Sequence, residues 1–239
     1  MGRILVQNRR PVVPNVAYMT ITDTTIAAWN GFPESDTQSM VIGGWIRERV
    51  RSSAYPNPFS KGSFQKRGVQ SSVSPDRRIY SALNKSLTST NNSASSKITA
   101  KGWLHVVLFV SRAGVIRTYV NGALNGATTI SGFSAGEHWT SAEDPAVHGI
   151  LTAPCTAALA VCNLIFASTN DANRTLATDD QIRRLYETGA IPPDVIYWPM
   201  DEGAGSGAGT CKAYVNGVNV PALDGNLSAN SWVADSPFN

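Results

Sequence analysis

The sequence is poor in charged residues: Lys, Arg, Asp and Glu make up 15% of its 239 positions, where about 25% is usual in soluble domains. Ser, Thr, Asn and Gly supply the polarity instead, and these residues favour turns and strand edges over helix surfaces. The shortage of charge therefore disfavours a helical bundle. The hydrophobic share of 42% is ordinary for a folded protein, which disfavours wholesale disorder.

Cysteine is also scarce, and long apolar runs are missing. The three cysteines, Cys155, Cys162 and Cys211, cannot all pair within the chain, and none has metal-ligand spacing. Buried thiols in a protein made in a reducing cytoplasm explain them most simply. The first fifteen residues lack the apolar core of a signal peptide, and the run 153–167 is too short to span a bilayer. We therefore expect no secretion by the general route and no membrane insertion.

The charges that are present are segregated along the chain. Residues 1–117 hold 16 of the 20 basic residues and 5 of the 17 acidic ones, so this part carries +11 and the remainder −8. The basic half either faces an acidic partner or mixes with the acidic half when strands interleave in the fold. The sequence lacks zinc-finger spacing, a basic helix and an aromatic-rich basic sheet motif, so nucleic acid is not an expected partner.

Strand signals dominate from Val16 onward. Apolar runs predict strands at 40–47 and 103–110, the second with both faces buried, and a third at 115–120. Asn121-Gly122 supplies the type I′ turn of a hairpin, which makes residues 103 onward a three-stranded meander. Residues 196–200 predict one more strand.

One helix is predicted at 178–188. Thr178 and Gln181 form a capping box, and Asp179 and Asp180 favour the positive end of the helix dipole. Gly189 has the residue type that ends helices.

The chain divides into an N-terminal arm and one domain. Residues 1–16 carry two prolines and three arginines with little to form a core, so we expect an extended arm. The arm packs either on its own domain or on a neighbouring chain. Residues 17–239 form the domain, which includes the closing strands 195–232.

These motifs, in this order, resemble those of concanavalin A-like, laminin-G-type jelly-roll domains. The matching segments are IGGWIR at 42–47, GWLHVV at 102–107, IRTYVNG at 116–122, the helix at 178–186 and YWPMDEG at 197–203. The resemblance covers residues 17 to 232 and implies an all-β fold, a two-sheet antiparallel jelly-roll β-sandwich with one short helix. The last segment usually opens such domains. Here it closes the chain, as in laminin-G-like proteins of bacteriophage virions.

The sequence predicts no enzyme. Glycosidases on this sandwich commonly carry the pattern Glu-x-Asp-x-x-Glu on one strand, and this chain lacks it. Glu137, Glu143 and Asp144 lie instead in a loop flanked by Gly and Ser. His105 lies within a predicted strand, where a hydrogen-bonded structural imidazole is the simpler assignment. We therefore predict no catalytic residue and no required cofactor.

The resemblance implies a non-enzymatic structural protein of a phage virion, made in the host cytoplasm. We expect a capsid decoration or accessory protein that binds neighbouring capsid subunits. Head or tail location and homo-oligomerisation stay open. Guanidinium groups suit carboxylates on such a partner, and the assigned partner-binding residues are Arg3, Arg9, Arg10, Arg47, Arg49 and Arg51.

The alternative is a carbohydrate-binding, lectin-like module of the tail or baseplate. Sugar binding needs exposed aromatic rings beside polar loop tips, and the candidates are Trp29, Tyr55, Phe59, His138 and Trp139. The strand tryptophans Trp45, Trp103 and Trp198 are predicted to lie in the core.

A Ca²⁺ ion at the rim is common in laminin-G relatives, and the resemblance leaves this cofactor open. The weak candidate ligands are Asp201, Asp224 and Asn226. No dense run of carboxylates marks a dedicated calcium loop.

Overall fold

The structure is a computed structural model, and every structural statement below concerns the part of the chain that it describes. That part comprises residues 12–14, 18–22, 38–48, 58–61, 68–86, 89–94, 97–99, 102–111, 114–129, 149–151, 159–170, 178–199 and 206–234.

Strands account for most of the described chain. In order they are β1 (Val12–Pro14), β2 (Tyr18–Thr22), β3 (Gln38–Glu48), β4 (Phe59–Lys61), β5 (Gly68–Val73), β6 (Ile79–Ser86), β7 (Ser89–Ala94), β8 (Trp103–Val110), β9 (Val115–Val120), β10 (Ala123–Thr129), β11 (Gly149–Leu151), β12 (Leu159–Asn170), β13 (Ile196–Trp198), β14 (Ser206–Cys211), β15 (Tyr214–Val215), β16 (Val218–Asn219) and β17 (Gly225–Ala234). The α-helix of the described residues, α1 (Asp179–Thr188), lies between β12 and β13, and a 3₁₀ turn spans Pro221–Leu223.

The strands form two sheets. The nine-stranded sheet has the order β1-β17-β2-β11-β4-β5-β6-β7, with β14 also paired to β17, and the eight-stranded sheet has the order β10-β9-β8-β3-β12-β13-β15-β16. The pairings are antiparallel, as in β3 with β8 and β17 with β2. The structure therefore confirms the all-β, two-sheet antiparallel sandwich with a short helix. It also confirms the β8-β9-β10 meander.

The eight-stranded sheet is buried on both faces over much of its area. Leu104, Val106, Leu108 and Val110 of β8 belong to the core that also contains Phe59 of the other sheet. The alternate residues Val107 and Phe109 belong to a second cluster, together with Ile182 and Leu185 of α1. The continuous apolar run of β8 follows from this double burial, because one face meets the second sheet and the other meets the helix.

The signals read from the sequence around α1 are all present. The Thr178 hydroxyl accepts a hydrogen bond from the Gln181 backbone N–H at 3.3 Å, and the Gln181 side chain accepts from the Thr178 N–H at 3.0 Å. Gly189 ends the helix with φ +64°, a left-handed conformation that glycine adopts without steric cost. No helix in the described ranges is long and apolar enough to cross a bilayer.

We expect Thr178→Ala to lower the free energy of unfolding by about 1 kcal/mol, because it removes the N-cap acceptor of α1. Thr178→Ser keeps the acceptor and should stay close to the parent chain. Chemical denaturation of the three proteins measures the difference. Equal midpoints for the Ala and Ser variants would show that the cap does not stabilise the domain.

Two hairpin turns use the same chemistry. Asn121 and Gly122 have φ of +51° and +76°, and Asn216 and Gly217 have φ of +51° and +73°. Positive φ at both central residues is the type I′ geometry that joins antiparallel strands with their natural twist. The turn predicted at Asn121-Gly122 is therefore confirmed.

The last part of the predicted N-terminal arm, residues 12–14, is described by the structure. These residues form β1, which pairs with β17 through Val12 and Ala234, Val13 and Val233, and Pro14 and Trp232. β1 ends the order of its sheet, and proline within sheets is largely confined to such edge strands. This part of the arm is thus extended and packs on its own domain, one of the two alternatives left open by the sequence. Residues 1–11 and 15–16 of the predicted arm lie outside the described residues.

The closing strands predicted at 195–232 lie within both sheets of the sandwich. β13 pairs with β12 and with β15, and β17 pairs with β1, β2 and β14. Trp198 of β13 is fully buried, and its indole N–H donates to the Leu223 carbonyl at 3.0 Å. The prediction that Trp198 lies in the core is therefore confirmed. Met200 lies outside the described residues.

Candidate functional site

A group of aromatic and basic side chains lies on the outer face of the eight-stranded sheet. Strand register sets it: Trp45 is opposite His105, and Arg47 is opposite Trp103. Their neighbours Ile46 and Leu104 face the inter-sheet core, so alternation places these four residues on the opposite face. Tyr186 of α1 joins them through ring contacts. We call Trp45, Arg47, Trp103, His105 and Tyr186 the outer-face cluster.

Three rings of the outer-face cluster pack against one another. The centroid of His105 lies 5.2 Å from that of Trp45, and Tyr186 lies 5.8 Å from both. The planes are tilted by 33–51°, within the range of favourable aromatic geometries. His105 is only 4% exposed, whereas the other four residues are half-buried. The histidine thus forms the floor of a surface whose upper rings still meet solvent.

The β9–β10 turn holds this floor in place. The backbone N–H of His105 donates to Asn121 Oδ1 at 3.0 Å, and the Asn121 N–H donates to the His105 carbonyl at 2.8 Å. A Cβ atom on Gly122 would lie 2.9 Å from the Tyr186 side chain. Glycine is therefore required there both for its positive φ and for the close approach of the ring.

The N-terminal end of α1 is tied to the same face by a second set of contacts. The Tyr119 hydroxyl donates to Asp179 Oδ1 at 2.7 Å, and an Arg117 nitrogen lies 4.0 Å from the same oxygen. The Arg117 guanidinium also lies 5.6 Å from the centroid of the Phe109 ring. Burial, with the Asp179 hydrogen bond, raises the pKa of Tyr119 to about 12. These contacts fix the helix that carries Tyr186.

His105 is a neutral residue at physiological pH. Burial lowers the pKa of its imidazole to about 4, because the charged form loses its hydration. Its Nδ1 atom has no hydrogen-bond partner within the described ranges. The structural assignment of His105 agrees with its burial, but the predicted hydrogen bond is wrong for Nδ1. The imidazole ring packs against Trp45 and Tyr186.

Among the predicted partner-binding arginines and the predicted sugar-binding residues, the structure describes Arg47 and Phe59. Arg47 belongs to the outer-face cluster. Phe59 is 0% exposed and lies in the core, because β4 sits between β11 and β5 and turns this ring toward the other sheet. The prediction of Phe59 as an exposed sugar platform is therefore wrong. The others lie outside the described residues: Arg3, Arg9, Arg10, Arg49, Arg51, Trp29, Tyr55, His138 and Trp139.

Of the three calcium candidates, only Asp224 has a side chain that the structure describes. Asp224 Oδ1 accepts from the Ala213 N–H at 2.8 Å and from the Asn219 side-chain amide at 3.3 Å. This carboxylate thereby joins the β15–β16 hairpin to the turn before β17. Asn226 lies in β17 with an undescribed side chain, and Asp201 lies outside the described residues. Within the described ranges, no three His, Cys, Asp or Glu side chains converge as a metal site.

Two residues of the outer-face cluster are misplaced by sequence reasoning. Trp45 and Trp103 were expected in the core and are half-buried on the outer face. Alternation along β3 and β8 indicates that consecutive side chains face opposite sides of the sheet. It does not indicate how much of the outer face α1 covers. Tyr186 was not among the residues that the sequence analysis selected for binding.

Comparison with known proteins agrees with this architecture. A family model described as the concanavalin A-like lectin/glucanases superfamily matches residues 10–149. No curated protein sequence matches the chain.

Solved structures with a similar fold include several botulinum neurotoxin domains. The binding domain of botulinum neurotoxin DC, in complex with rat synaptotagmin II, has a TM-score of 0.54 at 10% identity, over 91% of this chain and 66% of that one. The receptor-binding domain of the C/D mosaic serotype scores 0.53 at 11% identity, over 78% and 45%. The serotype C1 binding domain scores 0.51 at 12% identity, over 74% and 41%. This chain thus spans 41–66% of the length of these three structures.

Proposed function

Because this chain belongs to the concanavalin A-like lectin/glucanase superfamily, we propose that it is a non-catalytic binding domain that serves as a structural protein of a bacteriophage virion. It decorates the capsid, or acts as an accessory protein on it, by binding neighbouring subunits. The fold alone does not distinguish a lectin from a glycosidase or a structural module. The proposal therefore depends on particular elements of this chain.

The observation that carries the virion role is the place of the closing strand. β13 follows α1 in sequence and lies inside the eight-stranded sheet, between β12 and β15. The segment from Tyr197 that usually opens such domains therefore completes this sandwich from its C-terminal side. This order resembles laminin-G-like proteins of phage virions, and it supports the same role here.

The chemistry of the described histidine supports a non-catalytic domain. The ring contacts of His105 are to Trp45 and Tyr186, and burial lowers its pKa to about 4. A general base works best when its pKa lies near the operating pH. An imidazole that stays uncharged at neutral pH and packs between aromatic rings is therefore a structural part of the sheet.

The proposed attachment uses the basic half of the chain. Val12 lies in the edge strand β1, so the segment that carries Arg3, Arg9 and Arg10 joins the sandwich at an edge. Guanidinium groups pair well with carboxylates, and charges at the rim of an interface mainly govern the association rate and its salt dependence. The proposed partner is therefore an acidic surface of a virion subunit.

Particles that lack this protein provide the test. We expect the parent chain to bind them, with binding that weakens as ionic strength rises, because salt screens exposed charge pairs. A chain beginning at Val12 keeps β1, and a full-length variant with Arg3, Arg9 and Arg10 replaced by Gln keeps the length. Both should bind at least tenfold more weakly than the parent at low salt.

The full-length Gln variant distinguishes the effect of lost charge on binding from the effect of lost chain length. Replacement of the exposed helix residues Arg183 and Arg184 by Gln, which removes two charges elsewhere, is the matched control and should bind nearly as the parent does. Undiminished, salt-insensitive binding of the triple variant would remove the arginine segment from the attachment. Failure of the parent chain to bind any particle component would contradict the virion role.

A further inference from the structure

We propose that Asn216, in the turn of the β15–β16 hairpin, is a site of spontaneous deamidation, and that the structure protects its counterpart Asn121 from the same reaction. Both asparagines stand in the same tetrapeptide, Tyr-Val-Asn-Gly, at residues 119–122 and 214–217. Because this local sequence is shared, the surrounding structure decides which of the two reacts. The modification is independent of the proposed attachment to a virion.

The reaction joins the asparagine side chain to the next backbone nitrogen. The Gly217 nitrogen attacks the side-chain carbonyl carbon of Asn216 and gives up its proton, and the side-chain nitrogen takes up a proton and leaves as ammonia. Water then opens the resulting five-membered succinimide at either carbonyl, which yields aspartate or isoaspartate. Glycine favours the attack because it has no Cβ atom beside the nitrogen.

The two turns have the same backbone conformation. Asn121 and Gly122 have φ of +51° and +76°, and Asn216 and Gly217 have φ of +51° and +73°. A type I′ turn fixes the dihedral angles between the two reacting groups, so we expect ring closure to require local opening of the turn. The ease of that opening is where the two sites differ.

The turn at Asn121 is held closed by its neighbours. Asn121 Oδ1 accepts from the His105 N–H at 3.0 Å, and the Asn121 N–H donates to the His105 carbonyl at 2.8 Å. Gly122, whose nitrogen is the nucleophile here, is buried, and a Cβ atom on it would lie 2.9 Å from the Tyr186 side chain. Opening this turn would break both hydrogen bonds and displace the aromatic ring.

The turn at Asn216 lacks this protection. Asn216 and Gly217 are both exposed, and a Cβ atom on Gly217 would meet no other atom of the described chain within 4 Å. β15 and β16 are two residues long each, and β16 ends its sheet, whereas β9 and β10 have six and seven residues. Segments with exposed backbone hydrogen bonds and few buried apolar contacts open at low free energy.

The base of the β15–β16 hairpin is held separately from its turn. The Asn219 side-chain amide and the Val220 N–H both donate to the Ala213 carbonyl, at 2.8 and 2.9 Å. The turn can therefore open and react while the base stays in place. Aspartate adds a negative charge to the turn, and isoaspartate adds a methylene group to its backbone. We expect the sandwich to stay folded with a permanently altered hairpin.

Incubation of the full chain at neutral pH and physiological temperature tests the proposal. Peptide mapping by mass spectrometry, with fragment ions that assign each modified residue, follows both asparagines in one sample. In the folded chain we expect Asn216 to deamidate at least about tenfold faster than Asn121, because its turn opens more easily. In guanidinium chloride the two rates should become similar, since the tetrapeptides are the same.

Asn216→Gln is the matched control. Its longer side chain cannot form the five-membered ring, so modification at this position should disappear while the rate at Asn121 stays unchanged. Thermal midpoints verify that parent, variant and incubated chain are folded. Equal rates at Asn216 and Asn121 in the folded chain would overturn the proposal. So would an Asn216 that reacts only after unfolding, or a rate difference that persists in guanidinium chloride.

Discussion

Trp198→Ala should lower the free energy of unfolding by about 3–5 kcal/mol, the range found when large aromatic residues are truncated in protein cores. Trp198 is 0% exposed and packs in the inter-sheet core. The substitution also leaves the Leu223 carbonyl without its indole donor, and an unsatisfied buried acceptor adds to the cost. Urea denaturation at neutral pH measures the effect.

Two companion variants make the Trp198 result specific. Trp198→Phe refills most of the cavity but not the hydrogen bond, and should fall between the parent and the Ala variant. Val218→Ala lies on an exposed strand of the same sheet and should change stability by less than about 0.5 kcal/mol, as surface substitutions usually do. A change below 1 kcal/mol for Trp198→Ala would mean that β13 is not an integral strand of the sandwich.

Acid should destabilise the domain through His105. In the folded protein, burial lowers the pKa of this imidazole to about 4 from the usual 6.5. Between these values the unfolded chain binds the proton and the folded chain does not, so the free energy of unfolding falls as the pH is lowered through that window. The difference between a pKa of 6.5 and one of about 4 corresponds to a loss of about 3 kcal/mol in the free energy of unfolding. This loss is complete near pH 4.

His105→Phe isolates this contribution. Phenylalanine keeps an aromatic ring between Trp45 and Tyr186 and cannot be protonated, so the slope between pH 6.5 and 4 should flatten relative to the parent. Asp76 does not interfere with this comparison. Its hydrogen bond to Ser74 holds its pKa below the ordinary value of 3.8, so its contribution to the free energy of unfolding is lost only at lower pH. If the free energy of unfolding of parent and variant changed in parallel with pH, the folded state would not lower the pKa of His105.

The parts of the fold that depend on neighbouring residues could be predicted from the sequence. The ends of α1 follow from Thr178, Gln181 and Gly189, which act within one turn of the helix. The β9–β10 hairpin follows from Asn121-Gly122, because few other dipeptides accept positive φ at both positions. These signals need no knowledge of the rest of the chain.

The parts that depend on distant partners could not be predicted. β1 is three residues long, and it is a strand only because β17, more than two hundred residues later, supplies its hydrogen bonds. β14 contains Gly207 and Gly209, and glycines give no alternation to read. Phe59 lies in a strand too short to show a period, so its burial could not be distinguished from exposure.

In the candidate site, too, local features could be predicted from the sequence and those set by distant elements could not. Pattern reasoning places Trp45 and Trp103 within strands but does not report which side of the sheet α1 covers. Their half-burial follows from the docking of Ile182 and Leu185 over the neighbouring part of the face. Arg47 was selected for its charge, and register with Trp103 then places it beside an aromatic ring.

We propose that this domain is a virion component attached by its arginine-bearing N-terminal segment, and a density map of the native phage particle that carries the protein would show whether it is. We expect the sandwich on the particle surface, with the residues before Val12 lying against carboxylates of a neighbouring subunit. A map that accounts for all virion density without this sandwich, or that shows those residues remote from any neighbour, would rule out the proposed attachment.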